Sequence, residues 1–202
     1  MQFSRSTKYD FPPEFNIGGS NVLEEKKVLT ILGIQIQSNL RWDSQIMNMI
    51  SRASKTVWVL RRMRALGVDR PTLVQFWKAE GRVHLEMACA AWHSSLTVVQ
   101  SRTLERSQRL AMAAIVGHWA PSHTEQLSEL GLERLSTRRD TLCARFALAT
   151  ATQSRHRDIF TPATTNSLRP GKRALKYKEP LARTATYRKS AVPYLTRLLN
   201  GS

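Results

Sequence analysis

The chain has 202 residues, which fit one ordinary domain or one domain and a small appendage, and 42% of them are hydrophobic, which excludes a wholly disordered protein. Lysine and arginine number 31 against 15 acidic residues, so the net charge is +16 and the isoelectric point is about 10.9. This excess of positive charge favours a polyanionic partner such as nucleic acid.

Residues 1–41 show the pattern of irregular β structure. The alternation of residues 1–6 predicts a strand already in progress at the first residue, which indicates a truncated chain. A second strand would place Leu32, Ile34 and Ile36 on one face. The loop between the strands is marked by Pro12, Pro13, Gly18 and Gly19. Because two strands are marginally stable alone, this remnant must rest on the helices or on a missing part.

A helical period extends over residues 42–154. Asp43 or Ser44 is expected to cap the first helix, and Gly67 is expected to end it. The apolar residues of this helix recur every three or four positions, which predicts one buried face. That face is predicted to consist of Ile46, Ile50, Ala53, Val57 and Leu60.

The second and third helices carry clear boundary signals. Asp69 should cap the second, which has Pro71 in its first turn and runs toward Trp92. Thr97 should cap the third helix, and Gly117 should end it. The inner face of the third helix is predicted to consist of Val98, Leu104, Gln108, Ala111 and Ile115.

Two further helices follow. Ser122 and Glu125 have the spacing of a capping box, in which each side chain bonds a backbone N–H of the other residue, and the helix should end at Gly131. A fifth helix should begin at Ser136. Its inward residues are predicted to be Leu142 and Phe146. Short connections favour antiparallel neighbours, so we predict a mainly α fold in which an antiparallel helical bundle follows the short β remnant.

Residues 155–202 are predicted to form an extended basic tail. They hold eleven basic and two acidic residues, a net charge of +9. Regular structure is interrupted at Pro162, Pro170, Gly171 and Pro180. We expect this third segment to be largely disordered, with a last helical turn over residues 194–199.

Cysteine usage and hydropathy bear on the compartment. Cys89 and Cys143 are too few for a disulfide scaffold or a four-cysteine zinc site, and they suit a reducing compartment. No apolar stretch approaches the roughly 20 residues of a membrane span, and the N-terminus lacks a signal-peptide core. We expect an intracellular protein, nuclear or cytoplasmic, that is neither secreted nor membrane-bound.

The sequence lacks the local motifs of common enzymes. It contains neither a glycine-rich phosphate loop nor a Gly-x-Ser-x-Gly elbow. Two-metal phosphoryl transfer needs converging carboxylates, and the five aspartates are scattered singly, which leaves only long-range convergence open. They are Asp10, Asp43, Asp69, Asp140 and Asp158. We therefore assign no catalytic residue.

One cluster has metal-ligand chemistry, namely His84, Cys89 and His93. Cys89 and His93 would share a helix face at four-residue spacing. Small apolar neighbours surround both cysteines, however, so we interpret Cys89 and Cys143 as core residues and predict no metal site.

Basic residues gather on the first helix, which has no acid between Asp43 and Asp69. The group consists of Arg52, Lys55, Arg61, Arg62 and Arg64. Such a helix suits a phosphate backbone, although a solvated face with cations near the helix C-terminus is the alternative. A weaker second group consists of Arg138, Arg139 and Arg145, for which packing or capping is an equal alternative.

The tryptophans could stack on bases, but their apolar neighbours at helical spacing favour core packing. They are Trp42, Trp58, Trp77, Trp92 and Trp119. For Trp58 the adjacent Val57 and Val59 favour a buried position.

The order of these segments resembles the reverse transcriptases of non-LTR (LINE-like) retrotransposons, in the part that follows their catalytic palm motif. The matching segments are residues 1–4, Leu32-Gly33-Ile34 with Leu40-Arg41-Trp42, residues 60–64, Leu85-Glu86 with Ala91-Trp92, residues 104–109 with 115–117, residues 135–139 and residues 193–200. Met87 stands where the family usually has tyrosine.

The resemblance implies the end of a palm, a thumb and a basic C-terminal extension of an RNA-directed DNA polymerase. The parent enzymes use aspartate-bound Mg²⁺, and their paired aspartates have no counterpart here, so this chain is expected to be no enzyme by itself and to hold no cofactor. Leu32 and Gly33 would lie in a primer-grip-like position, and Arg61, Arg62 and Arg64 would face the duplex. The implied partners are RNA or an RNA–DNA duplex, together with the palm and fingers of the parent polymerase.

Two functions therefore compete. The first is sequence-independent binding of RNA or an RNA–DNA duplex by a catalytically inactive fragment. The second is a protein-interaction module whose basic tail docks on an acidic protein, or an inert remnant with no specific nucleic-acid role. Its exposed strand edge could pair with another chain.

Overall fold

A computed structural model describes residues 26–117, 122–153, 159–163 and 175–201. The strand expected over residues 1–6, the first proline-glycine loop and Trp119 lie outside these ranges. The described residues form a short antiparallel β-hairpin followed by packed helices, so the predicted mainly α fold is confirmed. None of the described helices combines the length and hydrophobicity needed to cross a lipid bilayer.

The hairpin consists of β1 (Val28–Ile31) and β2 (Ile34–Gln37), with Val28 opposite Gln37. Leu32 and Gly33 form the two-residue turn, with φ of 50° and 83°. Such turns need positive φ, which explains the glycine. Leu32 is therefore a turn residue and does not share a strand face with Ile34 and Ile36, which corrects the prediction.

The hairpin rests on helix α1 (Asp43–Ala65). The buried Gln45 accepts a hydrogen bond from the Gln35 N–H at 2.8 Å, and Gln37 accepts one from the Ser44 N–H at 2.9 Å. Because the hairpin supplies an acceptor to the start of the helix, neither Asp43 nor Ser44 caps it with its own side chain, contrary to prediction.

The rest of α1 follows the sequence pattern. Ile46, Ala53, Val57 and Leu60 are buried, and Ile50 is partly buried against the same core. Gly67 has φ of 83° just after the last helical turn, as predicted.

The second predicted helix is divided into α2 (Arg70–Phe76), a π-helical turn (Trp77–Gly81) and α3 (Arg82–Glu86). The predicted cap is confirmed, because the Asp69 carboxylate accepts a hydrogen bond from the Thr72 N–H at 3.1 Å.

A chain reversal then separates α3 from α4 (Cys89–Trp92) and a 3₁₀ turn (His93–Ser95). Ala88 has φ of 51°, which breaks the helix expected to continue toward Trp92. The Trp92 indole donates to the Met87 carbonyl at 3.0 Å and so pairs a carbonyl that the break leaves open.

Helix α5 (Val98–Val116) matches its predicted boundaries. Thr97 and Gln100 form a reciprocal capping box, and Gly117 has φ of 98° at the other end. Leu104, Gln108, Ala111 and Ile115 are buried as predicted, but Val98 is exposed because it lies in the first turn, beyond the packed part of the helix.

Helices α6 (His123–Glu129) and α7 (Leu135–Ala151) follow. The Ser122 hydroxyl accepts from the Thr124 N–H at 3.2 Å, in place of the predicted bond to Glu125. On α7 the buried residues are Leu135, Arg139, Cys143, Ala147 and Thr150. Phe146 is half exposed and Leu142 only partly buried, so the inward face lies one position away from the predicted one.

The C-terminal segment is not an extended tail over the described part. Helix α8 (Ala185–Arg188) leads into α9 (Ala191–Gly201), which packs on α4 and α7. Pro193, Leu195, Thr196 and Leu199 are buried there. Hydrophobic burial at a helical period outweighs the high local charge. The predicted helical turn over residues 194–199 is confirmed as part of this longer helix.

Candidate nucleic-acid interface

The outward face of α1 carries an exposed tryptophan between two cations. Lys55, Trp58 and Arg62 follow one another at intervals of three and four residues, which places them on one side of the helix. Trp58 is 63% exposed, and the Arg62 guanidinium lies 5.9 Å from the centre of its ring. Core packing was predicted for Trp58, and the structure corrects that prediction because Ala53, Val57 and Leu60 already fill the buried face.

Arg52 and Arg61 are also exposed and flank this row on opposite sides of the helix. We call these five residues, Arg52, Lys55, Trp58, Arg61 and Arg62, the α1 basic face. None of its four cations forms an ion pair with another described residue. After Asp43 the helix itself contains no acid. The face therefore presents its charge to solvent without local neutralisation.

Arg64 does not belong to this face. It is half-buried, and its guanidinium lies against Gly117, where a side chain on the glycine would collide with Nη1. The absence of a Cβ at Gly117 thus lets Arg64 pack the end of α1 against the end of α5. Its position favours a structural role over the predicted contact with nucleic acid.

Arg138 lies in an acidic setting. Its guanidinium is 3.5 Å from the carboxylate of Glu86 and 3.7 Å from that of Glu133. Glu86 is also paired with Arg82 at 3.0 Å. These carboxylates reduce the positive potential that Arg138 could offer to a phosphate.

Arg139 is fully buried, so the prediction that it contacts nucleic acid is wrong. It stands on the same face of α7 as Leu135 and Cys143, which points into the core. Its Nε donates to His93 Nδ1 at 3.2 Å, and its guanidinium lies 5.7 Å from the centre of the Trp92 ring. These contacts hold the cation inside the protein.

His93 and Asp140 join α7 to the C-terminal helix. His93 Nε2 and the Tyr194 hydroxyl both donate to Asp140 Oδ1, at 2.9 and 2.7 Å. Because Arg139 donates to His93 Nδ1, the imidazole must be neutral with its proton on Nε2. Burial lowers the pKa of His93, Asp140 opposes that shift, and the charge of Arg139 adds to it.

Acidification is expected to destabilise the fold as pH falls below about 6.5. The folded His93 has a pKa below its ordinary value of 6.5, so the unfolded chain binds more protons over this interval. The stabilisation from neutral His93 is therefore complete above the pKa that His93 has in the unfolded chain. It is lost as the pH falls through the lower pKa that His93 has in the folded protein. Urea unfolding at several pH values between about 7.5 and 5 measures this dependence.

The variant His93→Gln is the control, because it removes the titrating group and should make the pH dependence shallower. Burial also lowers the pKa of His123, which accounts for the slope that remains. A stability that rose on acidification over the same interval would contradict the assignment of a neutral His93.

Leu32 and Gly33 lie at the tip of the hairpin. Leu32 is 94% exposed, and the position of a Cβ on Gly33 would be 3.6 Å from the Met87 side chain. The predicted primer-grip-like pair is thus an exposed tip that touches the turn after α3.

Two members of the cluster considered as metal ligands, Cys89 and His93, contact other residues in the fold. Cys89 Sγ lies 4.0 Å from Cys143 Sγ inside the core, which confirms both as buried packing residues. His93 bonds Arg139 and Asp140 instead. Among the residues whose placement is described, no three His, Cys, Asp or Glu side chains could hold one metal ion.

A basic cleft was not anticipated from the sequence. It lies between α5, α6 and the start of α7 and has a volume of about 600 Å³. The recurrence of Arg102, Arg106 and Arg109 at intervals of four and three residues is a readable signal of one cationic helix face. Their convergence with Arg134 depends on the tertiary fold.

No protein-family model, curated protein or solved structure matches this chain.

Proposed function

We propose that this chain binds the phosphate backbone of RNA or an RNA–DNA duplex through the α1 basic face. The observation that carries the proposal is the row of Lys55, Trp58 and Arg62, exposed on a helix whose acids are confined to Asp43. The net charge of +16 supports the same partner. We further propose that the chain is the thumb region and C-terminal extension of a non-LTR retrotransposon reverse transcriptase, on the strength of the ordered motifs alone.

The chemistry of the α1 basic face suits backbone contact without base readout. Guanidinium groups bind phosphate oxygens through paired N–H donors, while an ammonium group acts as a point charge. Trp58 offers an aromatic surface on which an unpaired base can stack, whatever its identity. The proposed binding is therefore independent of sequence and strongly dependent on salt.

We propose no catalytic role for this chain. Each described aspartate is engaged within the fold: Asp43 accepts from Gln100 at 2.7 Å, Asp69 caps α2, and Asp140 accepts from two donors. In the parent family the Mg²⁺-dependent step belongs to the palm.

The test is the salt dependence of binding to a labelled RNA–DNA duplex, followed by fluorescence anisotropy. Changing Arg61→Gln together with Arg62→Gln should lower the slope of log affinity against log salt by about one for each lost phosphate contact. On a duplex with an unpaired overhang, Trp58→Ala should weaken binding while leaving the slope unchanged, because the indole carries no charge. The same samples should extend no primer in the presence of Mg²⁺ and nucleotides.

The matched control is Arg70→Gln, which removes one exposed cation from α2. Arg70 already pairs with Glu129 at 2.8 Å, so its loss should change the slope little. Binding that is independent of salt, or an equal loss of slope in the control and in the α1 variants, would rule out the α1 basic face as the contact.

A protein-interaction role is the second candidate, and the hairpin favours it. Val28, Ile31 and Leu32 are exposed apolar residues on or beside β1, and a strand edge with such residues can pair with another chain. Self-association that rises with protein concentration, without nucleic-acid binding at low salt, would support this role. A monodisperse monomer would count against it.

A further inference from the structure

The basic cleft is built separately from the α1 basic face, and its described lining contains no residue of α1. Residues of α5, α6, α7 and the connection between α6 and α7 form its walls. The lining residues that can bind an anion are Arg102, Arg106, Arg109, His123, Arg134 and Ser136.

Four arginines line the cleft. Arg102, Arg106 and Arg109 come from one face of α5, a helix of 19 residues. Arg134 reaches the same space from the residue before α7, which is 25 or more positions further along the chain. Arg102, Arg106 and Arg134 form no ion pair with another described residue, so their like charges favour an anionic occupant.

The carboxylate in the lining is already engaged. Glu105 accepts hydrogen bonds from the Ser136 N–H at 2.7 Å and from the Leu135 N–H at 3.3 Å. It thereby also interacts with the positive end of the α7 dipole. Four arginines and one glutamate leave a formal charge of +3 on the lining when His123 is neutral.

His123 provides a second, independent observation. Its Nε2 is buried, and no described residue bonds it. Burial lowers its pKa, and the charges of Arg134 and Arg109 lower it further, while Glu105 acts in the opposite direction. A bound anion would accept a hydrogen bond from a protonated His123 and offset the neighbouring guanidinium charges.

We propose that this cleft binds a phosphate group with two or more negative charges, such as pyrophosphate or the terminal phosphate of a nucleotide or strand. Arginine matches the geometry of phosphate oxygens, and about 600 Å³ lies within the range of small-ligand sites. The described lining holds no Phe, Tyr or Trp on which a base could stack, so the charged group is what the cleft recognises. Terminal phosphates carry more charge than the diesters of a backbone.

The test uses the full chain and pyrophosphate, with isothermal titration calorimetry as the readout. Arg106→Gln with Arg134→Gln should weaken pyrophosphate binding at least about tenfold, since each guanidinium contributes charge-assisted hydrogen bonds. Glu105→Gln keeps an acceptor for the α7 N–H groups and removes the negative charge, so it should tighten binding. The charge-matched control is Arg183→Gln with Arg188→Gln, two exposed residues outside the cleft, and it should bind pyrophosphate like the parent chain.

Two more arms identify the source of the phosphate and the site. The first arm compares a 5′-phosphorylated oligonucleotide with its 5′-hydroxyl counterpart as competitors of pyrophosphate. Displacement by the phosphorylated form alone would identify a strand terminus as a ligand. No difference between the two would identify a free phosphate as the ligand. The NMR titration of His123, assigned with His123→Gln, should show a higher pKa when pyrophosphate is bound.

Absence of pyrophosphate binding at millimolar concentration would overturn the proposal, and so would equal losses in the cleft variant and the control. The outcome is separate from that of the duplex-binding test. Variants of the α1 basic face address nucleic-acid binding, whereas the cleft variants address pyrophosphate, so either proposal can fail alone.

Discussion

Leu195→Ala is expected to destabilise the protein by about 2–5 kcal/mol, the usual cost of removing a buried leucine side chain. Leu195 lies on α9, is 4% exposed and belongs to the main hydrophobic core. The loss should also release α9 from α4 and α7, so its amides should exchange with solvent faster. Urea unfolding gives the free energy, and hydrogen exchange gives the local effect.

Leu181→Ala is the matched control, because it makes the same chemical change in the same C-terminal segment. Leu181 is 81% exposed, and its truncation should change the free energy of unfolding by no more than about 0.5 kcal/mol. Equal effects of the two substitutions would mean that α9 does not dock on the bundle and that the C-terminal segment behaves as an extended tail.

Gly81→Ala is expected to destabilise the protein by about 1–3 kcal/mol, the cost of overpacking a filled core. This reverses the usual sign, since alanine in helical backbone normally gains about 0.5–1 kcal/mol over glycine. The reason is the indole of Trp77, which is fully buried and lies where a Cβ on Gly81 would stand. Surrounded by core residues, the ring cannot move aside without cost.

The control for this change is Gly201→Ala, for which no atom lies within 4 Å of the new Cβ. It should leave stability unchanged or raise it slightly. In a Trp77→Leu background, which removes the clashing ring atoms, Gly81→Ala should cost much less. Strictly additive effects of the two substitutions would show that the ring contact is not the cause.

The helix boundaries set by local chemistry were largely predictable. The caps Asp69 and Thr97 and the helix-ending glycines 67 and 117 act within a few residues of themselves, so their roles can be read from short segments. The break at Ala88 could not be foreseen in this way. The Trp92 indole bonds the Met87 carbonyl at the break, and nothing in the local pattern marks alanine for a positive φ.

The inward faces were less predictable where polar groups are buried. On α7 the hydrophobic period favours Phe146, yet Arg139 takes an inward position because His93 and Trp92 accommodate its guanidinium. For Trp58 the prediction fails in the opposite direction, because a residue expected in the core is exposed. The first helix buries its smaller apolar residues and leaves its largest one outside. Composition alone does not show which polar side chain will be buried against residues that are distant in sequence.

The two candidate sites also differ in whether they depend on residues close in sequence or on the tertiary fold. The four cations of the α1 basic face were predictable because they are close in sequence and no acid interrupts them, whereas the exposure of Trp58 was not. The basic cleft needs α5 to meet the residue before α7. The Glu105 bonds to the α7 N–H groups and the Gln108 bond to the Glu133 carbonyl bring them together. Arg138 shows the converse, because a basic pair in sequence loses its positive potential once Glu86 and Glu133 fold next to it.

The Asp140 carboxylate links His93, Arg139 and Tyr194, so substitutions at these positions are expected to be coupled in evolution. One oxygen accepts from both His93 and Tyr194, on different elements, and the orientation of His93 in turn depends on Arg139. A lineage that replaced the acid would leave the His93 and Tyr194 donors without their acceptor and would free the ring that accepts from Arg139, so compensating changes should accumulate together. Among descendants of this sequence, residues 93, 139, 140 and 194 are expected to covary as one unit, while the cations on the outward side of α1 exchange between lysine and arginine independently.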